Sequence, residues 1–296
     1  MTRRVITVLG LNALLVIAIV LVVVGFSRDG DEPAPVARAA GFDGGRGWAE
    51  LRREVEMGPR PAGSATLRRL AVRLRAVLPN GRFEPLGPRH PGLRNVVGSL
   101  PGSKPAVVVA AHYDTKDLPG FVGANDGAGG TAAVVEIARV LSRGARPAGA
   151  PEIRFVLFDG EEATDDARFL ETGLRGSKAY AARHADELRA LILLDFVAAK
   201  GLRIQREANS DAALWAQLRQ AARRVGAARA FPSGTGSAIS DDHIPFLQRG
   251  VPSIDLIQWP YRCWHEPCDD LSAVSERSLD LAGEAVLELV RTLSRT

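Results

Sequence analysis

Acidic and imidazole side chains stand where three apolar segments of the chain end. These ends read His112-Tyr113-Asp114, Asp159-Gly160-Glu161-Glu162 and Asp195. Adjacent carboxylates such as Glu161 and Glu162 repel each other in a partly buried site, so the pair indicates either a metal ion or a shifted pKa. A zinc ion held by one of the two would leave the other free to act as a general base.

A further carboxylate, Asp126, lies in the loop Gly123-Ala124-Asn125-Asp126-Gly127, just ahead of an apolar helical segment. This loop is flexible enough to turn the carboxylate inward. A single Asp at such a position is more often a helix cap or a turn former than a metal ligand. The set of carboxylates, and not any one of them, therefore predicts a site.

Short apolar runs alternate with helix-like patterns along the chain. Strands are predicted at about 95–100, 106–111, 153–158, 190–194 and 253–257, and helices at about 65–78, 129–142, 177–184, 212–224 and 277–293. Strands that are apolar on both faces and separated by helices predict an α/β fold. We expect a three-layer sandwich whose twisted, mostly parallel central sheet has helices on both faces. Sites in such sheets lie at the carboxyl ends of the strands.

Six motifs resemble those of the glutaminyl-peptide cyclotransferases in their order and roughly in their spacing. They are His112-Tyr113-Asp114-Thr115-Lys116, Phe121-Val122-Gly123-Ala124-Asn125-Asp126, Phe158-Asp159-Gly160-Glu161-Glu162-Ala163, Asp241-Asp242-His243-Ile244-Pro245-Phe246-Leu247, Arg249-Gly250-Val251-Pro252 and Trp264-His265. More broadly, the chain is similar to the double-zinc aminopeptidases that share this fold. The likeness extends from about Arg46 to the C-terminus and implies a zinc exopeptidase-like domain.

Carried over by position, the resemblance implies a zinc ion held by Asp126, Glu162 and His265. Two carboxylates and one imidazole leave the fourth tetrahedral position open, as in a catalytic zinc site. Glu161 would then carry the proton during the reaction. One zinc ion is favoured.

The resemblance also implies residues around the substrate. Asp195 and Asp241 match hydrogen-bonding carboxylates of the cyclotransferases, and Trp264 matches an aromatic wall of the pocket. His112 and Asp195, with Asp126 as a bridge, match the second metal site of the aminopeptidases. Residue identity therefore allows two zinc ions as well as one.

The activity implied is that of a zinc-dependent acyltransferase, which converts the N-terminal glutamine of peptides or proteins to pyroglutamate and releases ammonia. The alternative is a zinc aminopeptidase, a hydrolase that removes N-terminal residues, and a third reading is a non-catalytic ectodomain of the same fold. Lys116 and the motifs that begin at Asp241 and Arg249 are closer to the cyclotransferases. Two features depart from them: Asp255 replaces a usual histidine, and residues 164–173 lack a pocket tryptophan.

An almost unbroken apolar run covers residues 5–26 and follows Arg3 and Arg4. Such a run is long enough to cross the roughly 30 Å of bilayer hydrocarbon, and cationic residues prefer the cytoplasmic side. We therefore expect a transmembrane anchor, or an uncleaved signal, over residues 1–26 and an extracytoplasmic domain. A cleaved signal peptide is the alternative. Residues 27–45 are predicted to be a flexible linker, and residues 46–296 the catalytic domain.

Two cysteines, Cys263 and Cys268, lie on either side of His265. Outside the cytosol a local disulfide is permitted here, while free thiols or thiolate ligands are the alternatives. The formal net charge of +4 comes from arginines scattered over helical segments. This pattern indicates solvated helix faces and not a nucleic-acid surface. We expect a monomeric catalytic domain whose substrates are peptide or protein N-termini and whose membrane contact is the N-terminal helix.

Overall fold

The computed structural model of the chain describes residues 40–295. The predicted membrane-spanning segment and most of the predicted linker lie outside these residues. Within residues 40–295, no helix is both long enough and apolar enough to cross a bilayer.

One mixed sheet runs through the described part of the chain. Its strands are β1 (Arg82–Pro85), β2 (Arg94–Leu100), β3 (Ser103–His112), β4 (Pro151–Phe158), β5 (Leu188–Leu194) and β6 (Ser253–Leu256). They are ordered β1-β2-β4-β3-β5-β6, with β1 and β2 antiparallel at one edge and the other four strands parallel. The predicted α/β class is thus confirmed.

Helices cover both faces of this sheet. They are α1 (Gly44–Glu56), α2 (Ala65–Val77), α3 (Ala128–Arg143), α4 (Phe169–Thr172), α5 (Arg175–His184), α6 (Ala212–Arg224), α7 (Ile244–Leu247) and α8 (Glu276–Leu293). Side chains alternate along β3: Val107 and Val109 pack with the longer helices, while Val108 packs with Tyr180 of α5 and Phe246 of α7. Since both faces of the sheet are buried, its strands are apolar throughout.

The folded part begins earlier than the boundary predicted at residue 46. Phe42 is fully buried, and α1 begins at Gly44 after an N-terminal cap formed by Asp43. Glu284 of α8 accepts hydrogen bonds from the backbone N–H groups of Ala40, Gly41 and Phe42. Residues 40–45 therefore belong to the domain and not to the linker.

Parallel strands bring the chemically active residues to one edge of the sheet. His112 is the last residue of β3, Asp159 follows β4 directly, and Asp195 follows β5. The loop before α3 reaches the same edge because Gly127 has a φ of 99°, and a Cβ at this position would lie 2.7 Å from the backbone oxygen of Asp114. Only glycine accommodates both constraints without strain.

Candidate active site

Asp126, Glu162 and His265 converge on one point, although they lie far apart in the chain. Nε2 of His265 is 3.6 Å from Oδ2 of Asp126 and 3.3 Å from Oε2 of Glu162. Ligand atoms about 2.0–2.1 Å from one zinc ion in a tetrahedron lie about 3.3 Å apart. The three side chains therefore have the spacing of three ligands of one ion.

Two carboxylate oxygens of these side chains lack hydrogen-bond partners, which also fits a bound zinc ion. Oδ2 of Asp126 and Oε1 of Glu162 are buried and have no hydrogen-bond partner. A buried carboxylate oxygen without a partner is costly, and a cation removes that cost. Two carboxylates and one imidazole are a donor set that zinc accepts, and the site opens to a cavity on its remaining side.

The second set of predicted ligands, His112 and Asp195, lies near Oδ1 of Asp126, the oxygen that does not face His265. Nε2 of His112 is 3.3 Å from Oδ1 of Asp126 and 3.1 Å from Oδ1 of Asp195. Nδ1 of His112 lies within hydrogen-bond distance of the backbone oxygen of Asp114, at 3.1 Å. Burial alone would lower the pKa of His112, but the surrounding carboxylates outweigh burial and raise it well above the usual value. His112 can therefore be a protonated cation here or the ligand of a second ion.

Two buried carboxylates hold the loops that carry the proposed ligands. Asp114 accepts hydrogen bonds from the backbone N–H groups of Glu161 and Glu162, at 3.1 and 3.3 Å. Asp269 accepts from the N–H groups of Asn125 and Asp126, at 2.9 and 3.0 Å. Asp114 stood out in the sequence at the end of a strand, whereas nothing in the sequence distinguished Asp269.

A cavity of about 320 Å³ opens beside these residues. The predicted residues Glu161, Asp195, Asp241 and Trp264 line it together with the three proposed ligands. Its apolar wall is formed by side chains that the sequence analysis did not identify, namely Phe169, Phe196, Ile239, Ile257 and Trp259. Phe169 comes from the segment 164–173, which supplies an aromatic ring although it lacks a tryptophan.

Trp264 and its neighbours form a small aromatic cluster at this wall. The ring of Trp264 lies 4.6 Å from the ring of His265 and 5.0 Å from that of Trp259. His265 adopts a left-handed backbone conformation with a φ of 53°, inside the loop closed by the disulfide between Cys263 and Cys268. The disulfide thus restrains the backbone that presents the imidazole.

The electrostatics of the site favour proton retention on carboxylates. Burial, and then the charge of Glu162, raise the pKa of Glu161 well above its usual value. Burial also raises the pKa of Asp159 to about 7, with a further contribution from Asp114. Lys116 partly offsets this negative charge, because its Nζ lies 3.5 Å from Oε2 of Glu162.

The fold is that of a zinc exopeptidase-like domain. The family model described as Peptidase family M28 matches residues 95–290. The chain belongs to this family.

Its relatives include a glutaminyl-peptide cyclotransferase from Drosophila melanogaster, which is 33% identical over 221 residues, 63% of this chain and 61% of that protein. The chain thus spans about three fifths of the length of the curated relatives it matches. A glutaminyl cyclase of known structure from an Acidobacteriales bacterium is 28% identical with a TM-score of 0.75, covering 91% of this chain and 99% of that one. A Zn-dependent exopeptidase from Parabacteroides distasonis is 25% identical with a TM-score of 0.74, covering 84% of this chain and 98% of that one.

Proposed function

We propose that this chain is a zinc-dependent glutaminyl-peptide cyclotransferase. It would close the N-terminal glutamine of a peptide or protein into pyroglutamate and release ammonia. The convergence of Asp126, Glu162 and His265 beside Glu161, in the lining of a cavity of about 320 Å³, carries the proposal. The named cyclases among the similar proteins support the same substrate class.

Asp126, Glu162 and His265 would hold the zinc ion. When bound, zinc supplies a Lewis acid that polarises the side-chain amide carbonyl of the glutamine. Asp195 and Asp241 present carboxylates to the cavity, where they can orient the α-amino group of the substrate. The aromatic and aliphatic wall around Trp264 holds the glutamine side chain and excludes water, which favours cyclisation over hydrolysis.

Glu161 would move the proton. The α-amino nitrogen forms a bond to the side-chain carbonyl carbon, and the bond from that carbon to the amide nitrogen breaks. Glu161 accepts the proton that the α-amine loses and delivers it to the departing ammonia, so that no water is consumed. Its raised pKa suits a group that must hold a proton between these two steps.

One specific observation favours a second candidate function, that of a metallo-aminopeptidase. His112, Asp126 and Asp195 form a further group of metal-ligating atoms within 4.8 Å of one another, and the two oxygens of Asp126 face the two groups. This is the arrangement of a carboxylate that bridges two ions. We favour one zinc ion, because Lys116 and the motifs that begin at Asp241 and Arg249 resemble those of the cyclotransferases more than those of the aminopeptidases.

Product analysis separates the two functions. The purified chain is offered a glutamine-initiated and a leucine-initiated peptide, and the products are weighed by mass spectrometry. Loss of ammonia from the first peptide, with the second intact, supports the cyclotransferase. Release of a free amino acid supports the peptidase instead.

Two variants test the assigned roles. Glu161→Gln should abolish turnover while the bound zinc measured by elemental analysis is unchanged, and surviving turnover would remove Glu161 from the proton transfer. His265→Ala should lower zinc occupancy. If the variant retained its full zinc content, His265 would not be a ligand.

We also propose that the domain acts outside the cytoplasm. The disulfide between Cys263 and Cys268 is of a kind that persists in oxidising compartments, which supports export. The anchor at residues 1–26, the linker that follows it and the monomeric state stay predictions. Protease treatment of intact cells tests the topology, since cleavage of the domain is expected only if it faces outward.

A further inference from the structure

Beside the cavity lies a third group of metal-ligating side chains, formed by Asp241, His243 and Asp255. Each offers one ligand atom, and these atoms lie within 4.8 Å of one another. Asp241 and His243 precede α7, and Asp255 lies in β6. The exposed fraction of Asp241 is 3%, and His243 and Asp255 are fully buried. None of the three belongs to the zinc centre proposed above.

The polar atoms of this group that face one another have no partner outside the group. Both oxygens of Asp255, Oδ2 of Asp241 and Nδ1 of His243 lie within reach of one another only, whereas Oδ1 of Asp241 accepts the N–H of Asp242. Buried polar groups in folded proteins are almost always paired, and an unpaired buried carboxylate is especially costly. Several unpaired atoms directed at one another point to a positively charged ligand between them.

The orientation of His243 is that of a metal ligand. Its Nδ1 lies 3.9 Å from Oδ2 of Asp255, which is too long for a hydrogen bond. Two atoms that are each about 2.1 Å from one ion lie at most about 4.2 Å apart, so a single ion can contact both.

The other ring nitrogen of His243 faces a second carboxylate. Nε2 lies 3.0 Å from Oε1 of Glu207. The other oxygen of Glu207 is fixed by the backbone N–H groups of Asn209 and Ile239, at 2.9 and 3.1 Å. A histidine that binds a metal through one nitrogen commonly directs the other at such a carboxylate, which fixes its tautomer.

The charge around the group leads to the same conclusion. Asp195, Asp241 and Glu207 all lie close enough to Asp255 to repel its charge. The basic group in contact with Asp255 is His243, which contacts Glu207 as well. Asp241 also lines the cavity, which gives an ion a route to the group from solvent.

We propose that Asp241, His243 through Nδ1, and Asp255 bind a divalent transition-metal ion, with Glu207 orienting the imidazole. The ion neutralises the carboxylates beside the cavity and joins β6 to the segment before α7. One imidazole and two carboxylates are ligands that zinc accepts, so zinc is the probe for the test.

Anomalous diffraction tests the proposal on the full chain. Crystals of the zinc-loaded protein are measured on both sides of the zinc absorption edge. A peak is expected between Asp241, His243 and Asp255, separate from the peak at Asp126, Glu162 and His265. Absence of the first peak while the second is present would overturn the proposal, whichever reaction the enzyme catalyses. A distance of about 2.6 Å between oxygens of Asp241 and Asp255 would then show a shared proton in place of an ion.

The zinc content of two matched variants counts the bound ions independently of the diffraction experiment. Asp255→Asn preserves the size of the side chain and should lower the zinc content by one ion per chain, with the peak at the first centre retained. His265→Ala should have the reciprocal effect. Unchanged zinc content in a folded Asp255→Asn variant would contradict the proposal, and if this variant does not fold, the wild-type anomalous map decides alone.

Discussion

Replacing Asp269 by Asn should weaken zinc binding about 10- to 100-fold, although Asp269 is not a proposed ligand. Oδ1 of Asp269 accepts hydrogen bonds from the N–H of Asn125 and, at 2.7 Å, from the hydroxyl of Tyr261. Oδ2 accepts a hydrogen bond from the N–H of Asp126. The backbone oxygen of Asp269 accepts the N–H of Ala124 as well. Asp269 thus makes three of the backbone hydrogen bonds that hold the loop presenting Asp126, and Arg60 adds bonds to the backbone oxygens of Val122 and Gly123.

The expected loss of zinc affinity follows from the number of hydrogen-bond acceptors that remain in the variant. Asparagine keeps one oxygen but turns an NH₂ group toward the second backbone N–H, so one hydrogen bond to a charged acceptor is lost. Such a bond contributes about 1.5–3 kcal/mol. At about 1.4 kcal/mol for each factor of ten, its loss corresponds to roughly 10- to 100-fold in zinc affinity if the displaced loop moves Asp126.

Chelator competition on the full chain measures this affinity. The matched control is Asp270→Asn, because Asp270 is the next residue and its carboxylate accepts only a local hydrogen bond, from the N–H of Ser272 at 2.7 Å. The control should bind zinc like the wild type. If folded Asp269→Asn protein binds zinc within twofold of the wild type, the view that this carboxylate positions Asp126 is wrong.

Three further outcomes are expected. Replacing Cys263 and Cys268 together by Ser should lower the free energy of unfolding by about 2 kcal/mol in urea titrations, because a short covalent loop opens; unchanged stability would contradict this. Since burial raises the pKa of Asp159 to about 7, its contribution to stability is full below about pH 4 and is lost as pH rises to about 7. The free energy of unfolding should therefore fall less between pH 5 and pH 8 in Asp159→Asn than in the wild type, and parallel curves would refute the assignment. Trp259→Ala should raise KM for peptide substrates about 2- to 10-fold with kcat nearly unchanged, since it removes an aromatic contact from the cavity wall; an unaltered KM would place the substrate elsewhere.

Sequence periodicity was sufficient for the central strands and failed at the edges of the domain. The run at 153–158 became β4, Pro151–Phe158, because a strand buried on both faces must be apolar throughout. β1 gave no such signal, since it is a short, half-exposed edge strand that ends in Pro85. α1 was missed because it begins with two glycines and buries Glu50 and Glu54 on its inner face.

The residues of the site, like the strands, were only partly predictable from the sequence. His112, Asp126, Glu162 and Asp195 lie at strand ends or in short motifs, where type and position in the chain are informative. The wall residue Trp259 and the supporting residue Asp269 act through contacts with distant segments. Their side chains carry no local pattern, so only the folded chain reveals them.

The interaction of Glu284 with the first described residues has a practical consequence. A protein produced from Arg46 onward would leave this carboxylate, which is fully buried, without its three backbone donors. It would also remove the ring of Phe42, which packs against Gly283 so closely that a Cβ there would lie 2.4 Å from it. A recombinant protein for the assays above should therefore start before Ala40, because a shorter version would expose the inner face of α8 and favour aggregation.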